Sequence, residues 1–150
     1  MVVCGGTFDH LHKGHKEFLR FIFSVSSKAV IGLTSDKYIK DHKVYDGIFS
    51  YEDRKQELES FLKSESFLTK SIIVPIDNLY GPTLQSKLPI EAIIVSKETK
   101  KGAEEINLKR KKLGLSPLKI IIAPFVKGED DKIISSLAIR KGIINREGKL

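Results

Sequence analysis

Five short apolar runs punctuate this chain, at residues 2–4, 29–34, 71–76, 90–96 and 118–126, and most are unbroken Val/Ile stretches. Runs of that length without polar alternation are what strands buried on both faces of a parallel sheet require. Between them lie stretches of helix length. Residues 13–23 carry apolar side chains at 18, 19, 22 and 23. Residues 51–62 follow Ser50-x-x-Asp53, which reads as a capping box. Residues 98–113 are charged on most faces and stop at Gly114, and 135–141 make a short helix before Gly142. This alternation predicts an α/β protein with a doubly wound, five-stranded parallel sheet and right-handed crossovers. One domain over residues 1–150 is expected, and it buries about two-thirds of its unfolded surface without disulfide staples.

Composition narrows the function classes. No apolar run approaches the roughly 20 residues of a membrane span, and the opening residues run into glycines rather than a signal-peptide pattern. The single cysteine, Cys4, excludes an internal disulfide and a cysteine-rich zinc site, and reads as a small core residue. A cytoplasmic location is the expectation. The net charge of +7 favours anionic partners: nucleotides, nucleic acid or an acidic membrane surface. The basic run Lys109-Arg110-Lys111-Lys112 falls on the last turns of a helix, where it complements the dipole. Aromatic residues are not interleaved with it, so a single-strand nucleic-acid surface is not the expectation.

Doubly wound sheets bind ligands outside the carboxyl ends of their strands, and the unusual residues of this sequence fall there. Strand one ends in Gly5-Gly6-Thr7-Phe8-Asp9-His10-Leu11-His12-Lys13-Gly14-His15. The glycines let backbone approach a ligand closely. A helix starting near Lys13 offers N–H groups and a positive dipole end to an anion. His12 and His15, three apart, share one helix face within about 6 Å and can donate to phosphate oxygens. The spacing fits neither a dinucleotide fingerprint nor a P-loop. Residue patterns alone therefore stop at an α/β protein with an anion site after strand one.

Gly6-Thr7-Phe8-Asp9 followed by His12-Lys13-Gly14-His15 resembles the H-x-G-H signature of the nucleotidyltransferase superfamily, whose domains are Rossmann-like. Ile134-Ser135-Ser136-Leu137-Ala138-Ile139-Arg140 resembles its second, triphosphate-binding motif. Leu137 stands where that motif often has Ser or Thr, which removes one hydroxyl donor. Two further segments narrow the resemblance. Asp77-Asn78-Leu79-Tyr80-Gly81-Pro82, and Val95-Ser96-Lys97-Glu98-Thr99-Lys100-Lys101-Gly102-Ala103 with Ile106-Asn107, are similar to the archaeal and eukaryotic type of pantetheine-phosphate adenylyltransferase.

That resemblance implies transfer of AMP from ATP to 4′-phosphopantetheine, giving dephospho-CoA and pyrophosphate. It implies His12 and His15 on the transferring phosphate. ATP would be bound by Gly6, Thr7, Phe8, His12, Gly14, His15, Glu98, Ser135, Ser136 and Arg140. Superfamily members place a lysine for the acceptor phosphate after strand two. Lys37, Lys40 and Lys43 are available there, with Lys43 preferred for catalysis and Lys40 second, and Thr7 also facing the acceptor. Magnesium is expected on the triphosphate oxygens, with no protein side chain as ligand. The acceptor phosphate is its own nucleophile, because its second pKa of about 6 leaves it mostly dianionic at neutral pH. The competing readings are a sibling nucleotidyltransferase, acting on FMN or glycerol phosphate, and a non-catalytic basic nucleotide- or RNA-binding module.

Overall fold

A computed structural model of the chain describes residues 1–42, 47–85, 88–124 and 146. Five strands, β1 (Val2–Gly6), β2 (Ala29–Thr34), β3 (Ser71–Ile76), β4 (Ala92–Val95) and β5 (Lys119–Ile122), form one sheet in the order β3-β2-β1-β4-β5. Every adjacent pair is parallel. Helices α1 (Lys13–Val25), α2 (Asp36–His42), α3 (Tyr51–Ser64) and α4 (Lys100–Lys112) lie between them, with 3₁₀ turns at Leu68–Lys70 and Gly81–Leu84. The doubly wound five-stranded arrangement expected from the apolar runs is the one observed.

The pleat of the central strand splits the core in two. Val2 and Cys4 point to one face, where they join Leu19 and Ile22 of α1 and Leu58, Phe61 and Leu62 of α3. Val3 points to the other face, with Val30, Ile93, Val95 and Ala103 and Ile106 of α4. Helices on both faces are what let β2 be buried along its whole length, Ala29 to Thr34. The chain moves outward from β1 through β2 to β3, then returns to the opposite side of β1 to lay down β4 and β5. The carboxyl ends of β1 and β4 therefore flank the point at which the strand order reverses, and that is where such sheets leave a crevice.

Several boundaries differ from the sequence-based expectation, for local reasons. β1 runs on through Gly5 and Gly6, which pair with Gly32 and Leu33 of β2. A Cβ at Gly32 would lie 3.0 Å from Ile76 Cγ2, so a side chain there would press on the end of β3. The segment after β2, expected to be a loop, forms α2. Ser35 initiates it by accepting from Tyr38 N with its hydroxyl and from Ile39 N with its carbonyl. Ser50 Oγ accepts from Asp53 N at 3.2 Å and caps α3, without the reciprocal bond of a full capping box. The short helix expected at 135–141 lies outside the described residues. No helix among the described residues is long and apolar enough to cross a membrane.

Candidate active site

A cavity of about 660 Å³ opens at the reversal point. Its floor is the end of β1 and β4, one side is the turn entering α1, and the opposite wall is residues 78–83 with the start of α4. No lysine or arginine is among the described residues that line it.

The turn from β1 into α1 is held by an unusual cap. His12 is the N-cap and His15 the third helical residue. His12 Nδ1 accepts from His15 N, and His15 Nδ1 accepts from His12 N, both at 3.3 Å. The two rings stack with centroids 3.6 Å apart. A Nδ1 that accepts a hydrogen bond carries no proton, so each neutral ring is protonated on Nε2. Both rings are held neutral. Burial is the first cause at each, lowering His12 from the ordinary 6.5 to about 4, with Arg146 and His10 adding like charge. His15 is likewise pushed well below its ordinary value by burial and by His12. The cap thus presents Nε2–H edges that donate without changing charge near neutral pH.

The first-turn backbone donors are mostly committed. Lys13 N donates to Arg146 O at 2.7 Å, and His15 N donates to His12. Gly14 N has no partner among the described residues, and Gly14 lines the cavity. The anion site is therefore narrower than an open helix terminus: two imidazole N–H edges and one backbone N–H.

The loop that carries this cap is bent. Phe8 and His10 both have positive φ, 49° and 48°, the left-handed region that favours glycine. Such conformations persist only where the surroundings over-determine them, and three anchors do so here. Buried Asp9 accepts from Phe49 N at 2.9 Å and pairs with His10 Nδ1 at 2.7 Å. The His10 ring stacks on Phe49 at 4.2 Å. Phe8 is buried and meets the His15 ring at 5.3 Å.

Behind the loop sits Arg54 of α3, with no exposed surface. It donates to Phe49 O at 2.9 Å, Thr7 O at 3.0 Å, Thr34 Oγ1 at 3.3 Å and Asp36 Oδ1 at 3.2 Å. One guanidinium thus ties α3, the β1 turn, the end of β2 and the start of α2. Thr34 in turn donates to Thr7 Oγ1 at 3.0 Å. The sequence did hold a signal for Arg54: an arginine in the first turn of a helix, on the face carrying Leu58, Phe61 and Leu62, is placed to be buried.

Of the residues expected at the site, Gly6, Thr7, Phe8, His12, Gly14, His15 and Glu98 all line the cavity. Glu98 is exposed at its rim. Lys40 does not line it. α2 turns Lys37 and Lys40 outward and sends Tyr38 to the cavity instead. Lys43, Ser135, Ser136, Leu137 and Arg140 lie outside the described residues. The second half of the sequence motif has a structural explanation. Thr99 Oγ1 accepts from Ser96 N at 3.0 Å and bonds the Ser96 hydroxyl at 3.1 Å, fixing the turn into α4. Asn107 exchanges two hydrogen bonds with the Leu118 backbone, at 2.9 and 2.8 Å, as a strand would.

A doubly wound sheet with a cavity and two neutral histidines at its reversal point defines the class of α/β proteins that bind ligands at the carboxyl edge of the sheet. Comparison with known proteins takes this further. The family model described as cytidylyltransferase-like matches residues 3–142. A phosphopantetheine adenylyltransferase of Pyrococcus horikoshii is 44% identical across 98% of this chain and 92% of its own length. One from Methanopyrus kandleri is 37% identical across 93% of this chain and 87% of its own. The crystal structure of a protein with unknown function from Archaeoglobus fulgidus matches with a TM-score of 0.71 and 30% identity, over 83% of this chain and 90% of that one. The chain belongs to the cytidylyltransferase-like family and, within it, to the phosphopantetheine adenylyltransferases.

Two outcomes follow from this geometry. Between about pH 6.5 and 4 the unfolded chain binds more protons at His12 than the folded one. Stability is therefore full above that window and falls as pH drops through it. Melting temperature measured against pH will show this loss, and His12→Asn, which keeps a capping oxygen without the titrating ring, will reduce it, the remainder coming from buried His15. Arg54→Ala leaves the Phe49 and Thr7 carbonyls without their donor and a cavity where the buried side chain stood, and will destabilise the fold by roughly 2–4 kcal/mol, read by urea unfolding.

Proposed function

We propose that this chain transfers AMP from ATP to 4′-phosphopantetheine, releasing pyrophosphate and forming dephospho-CoA. The observation that carries the proposal is the pair of Nε2-protonated histidines facing a cavity whose far wall is apolar, in a chain 44% identical to a phosphopantetheine adenylyltransferase. Phosphate donors and an apolar wall together suit an acceptor with a phosphate at one end and a long uncharged arm.

The acceptor's own phosphate oxygen attacks the α-phosphorus of ATP. A new P–O bond forms as the bond from that phosphorus to the bridging oxygen breaks, and pyrophosphate departs with the electron pair. No protein nucleophile takes part. The protein aligns the two phosphates and stabilises charge that builds on the α-phosphate oxygens. His12 and His15 donate to those oxygens from Nε2, and the Gly14 N–H adds a third donor. Being neutral, the rings act by directed hydrogen bonds and need no proton transfer. Thr7 orients the acceptor phosphate against Gly6 and Phe8, and Glu98 contacts the nucleotide from the rim.

The remaining roles fall to residues assigned from the sequence motifs. Ser135, Ser136 and Arg140 receive the leaving pyrophosphate, and Lys43 offsets the repulsion between the two phosphates, with Lys40 as its alternate. Magnesium would enter with the triphosphate, as part of the substrate, and would supply charge that offsets the phosphates. The reaction needs neither nucleic acid nor membrane, and its setting is the cytoplasm.

Pyrophosphate release with MgATP will be fastest with phosphopantetheine among phosphopantetheine, FMN, glycerol phosphate and nicotinamide mononucleotide. Equal or faster release with another acceptor overturns the substrate assignment. Steep salt-dependent RNA binding without turnover would mark a non-catalytic module instead. His15→Asn isolates the chemical role, since its oxygen can replace Nδ1 in the cap but nothing replaces the Nε2–H. It will lower kcat by about 10²-fold or more with little change in melting temperature.

A further inference from the structure

The cavity wall formed by residues 78–83 lies beyond the end of β3 and has no sheet ladder to hold it. Its internal bonds shape it. Asn78 Oδ1 accepts from Tyr80 N and Gly81 N, both at 3.0 Å, and Thr83 N donates to Tyr80 O at 2.9 Å. What fixes the wall relative to the rest of the molecule is separate. Gly81, at φ 48°, packs so closely on Ile76 that a Cβ would lie 2.6 Å from its Cγ2. Leu79 rests over Gly102 of α4, where a Cβ would meet its Cδ1 at 3.6 Å. The third anchor is polar: Arg110, two turns further along α4, donates from Nη1 to Thr83 O.

Arg110 is only 8% exposed. Its Nε donates to Ser116 O at 2.8 Å, and among the described residues no carboxylate pairs with it. An arginine buried without a counter-charge is an expensive way to fill space, since an apolar side chain of similar volume packs there at lower cost. An apolar side chain cannot bond two carbonyls at once. The rigid guanidinium fork can, and a lysine ammonium on its flexible stem does so poorly. The function of the buried charge is therefore the span itself, from the α4–β5 connection at Ser116 to the wall at Thr83.

The wall's lining side chains, Leu79, Tyr80 and Pro82 among them, are mostly apolar and carry no cation, so they suit an uncharged chain rather than a triphosphate. We infer that Arg110 is a positioning residue for the acceptor: by holding Thr83 it sets the wall against which the uncharged arm of the acceptor lies. This inference rests on the function proposed above, and the arm in question is that of phosphopantetheine. Arg110 acts through the wall and touches neither phosphate.

The test is steady-state kinetics of Arg110→Met and Arg110→Lys with each substrate varied in turn, alongside melting temperature. Arg110→Met removes a buried charge but leaves the Ser116 and Thr83 carbonyls without their donor, so it is expected to fold with a melting temperature modestly below wild type. Its KM for phosphopantetheine will rise by about tenfold, while KM for ATP and kcat stay within about twofold. Arg110→Lys will fall between Met and wild type. Equal rises in both KM values, or no rise in a folded variant, overturn the inference. An insoluble Arg110→Met also overturns it, since Arg110 would then be a folding residue. Wild-type enzyme assayed in parallel separates the two proposals. If it prefers a different acceptor, the substrate assignment fails, and Arg110 is judged by the same KM split with that acceptor.

Discussion

A guanidinium with no exposed surface needs acceptors in place of water, and in this chain they come from four different places. Arg54 gathers the carbonyl of Thr7, the hydroxyl of Thr34, the carboxylate of Asp36 and the carbonyl of Phe49. Removing such a group from water is costly, and only a complete set of acceptors offsets the loss. The set forces the β1 turn, the end of β2 and the starts of α2 and α3 into one arrangement. The left-handed backbone at Phe8 and His10 is tolerable because this arrangement leaves it no alternative. Arg110 repeats the device on the other wall of the cavity, with one fewer segment to join.

The histidine cap shows how one set of atoms serves two purposes. A helix start needs its orphan N–H groups satisfied, and here two imidazole nitrogens satisfy them reciprocally. That structural duty fixes the tautomer, because an accepting Nδ1 leaves the proton on Nε2. Burial then holds both rings uncharged. In the reaction proposed above, donors fixed in this way cost no reorganisation as charge develops, which is the condition under which electrostatic stabilisation is most effective. A Ser or Asp cap would complete the helix equally well and leave the cavity without these donors.

Much of this was legible in the sequence, and the parts that were not fail for identifiable reasons. Continuous Val/Ile runs revealed the parallel sheet because burial on both faces suppresses polar alternation, and the expected strand starts fall within two residues of those observed. The eleven residues from Gly5 to His15 pointed to the turn that borders the cavity, because each unusual feature in them sits at a strand end. The helix at Asp36–His42 was missed because its start depends on Ser35 capping it, in a stretch whose three lysines suggested a solvated loop. Lys40, the second candidate for the acceptor phosphate, lies exposed on this helix and outside the cavity lining. The burial of Arg110 has no local mark, because it depends on acceptors distant in sequence; Arg54 shares a helix face with Leu58, Phe61 and Leu62, and only its acceptors are beyond the reach of that pattern. Asn107 was noticed only as part of a motif. Its pairing with Leu118 needs the return of the chain from α4 to β5.

The fate of sulfur in this chain follows from its one cysteine. Phosphopantetheine ends in a free thiol, and a protein that binds it repeatedly risks forming mixed disulfides with its own cysteines. Exchange requires a thiolate as attacking species and access between the sulfurs. Cys4 sits in the centre of β1 with 1% of its surface exposed, and burial pushes its thiol up to about 12. It stays protonated, and although Cys4 lies along the cavity floor its side chain packs into the core with Leu19, Ile22 and Leu58. The acceptor's reactive end therefore meets no competent sulfur in the chain, and the enzyme leaves its substrate in the reduced state in which it arrived.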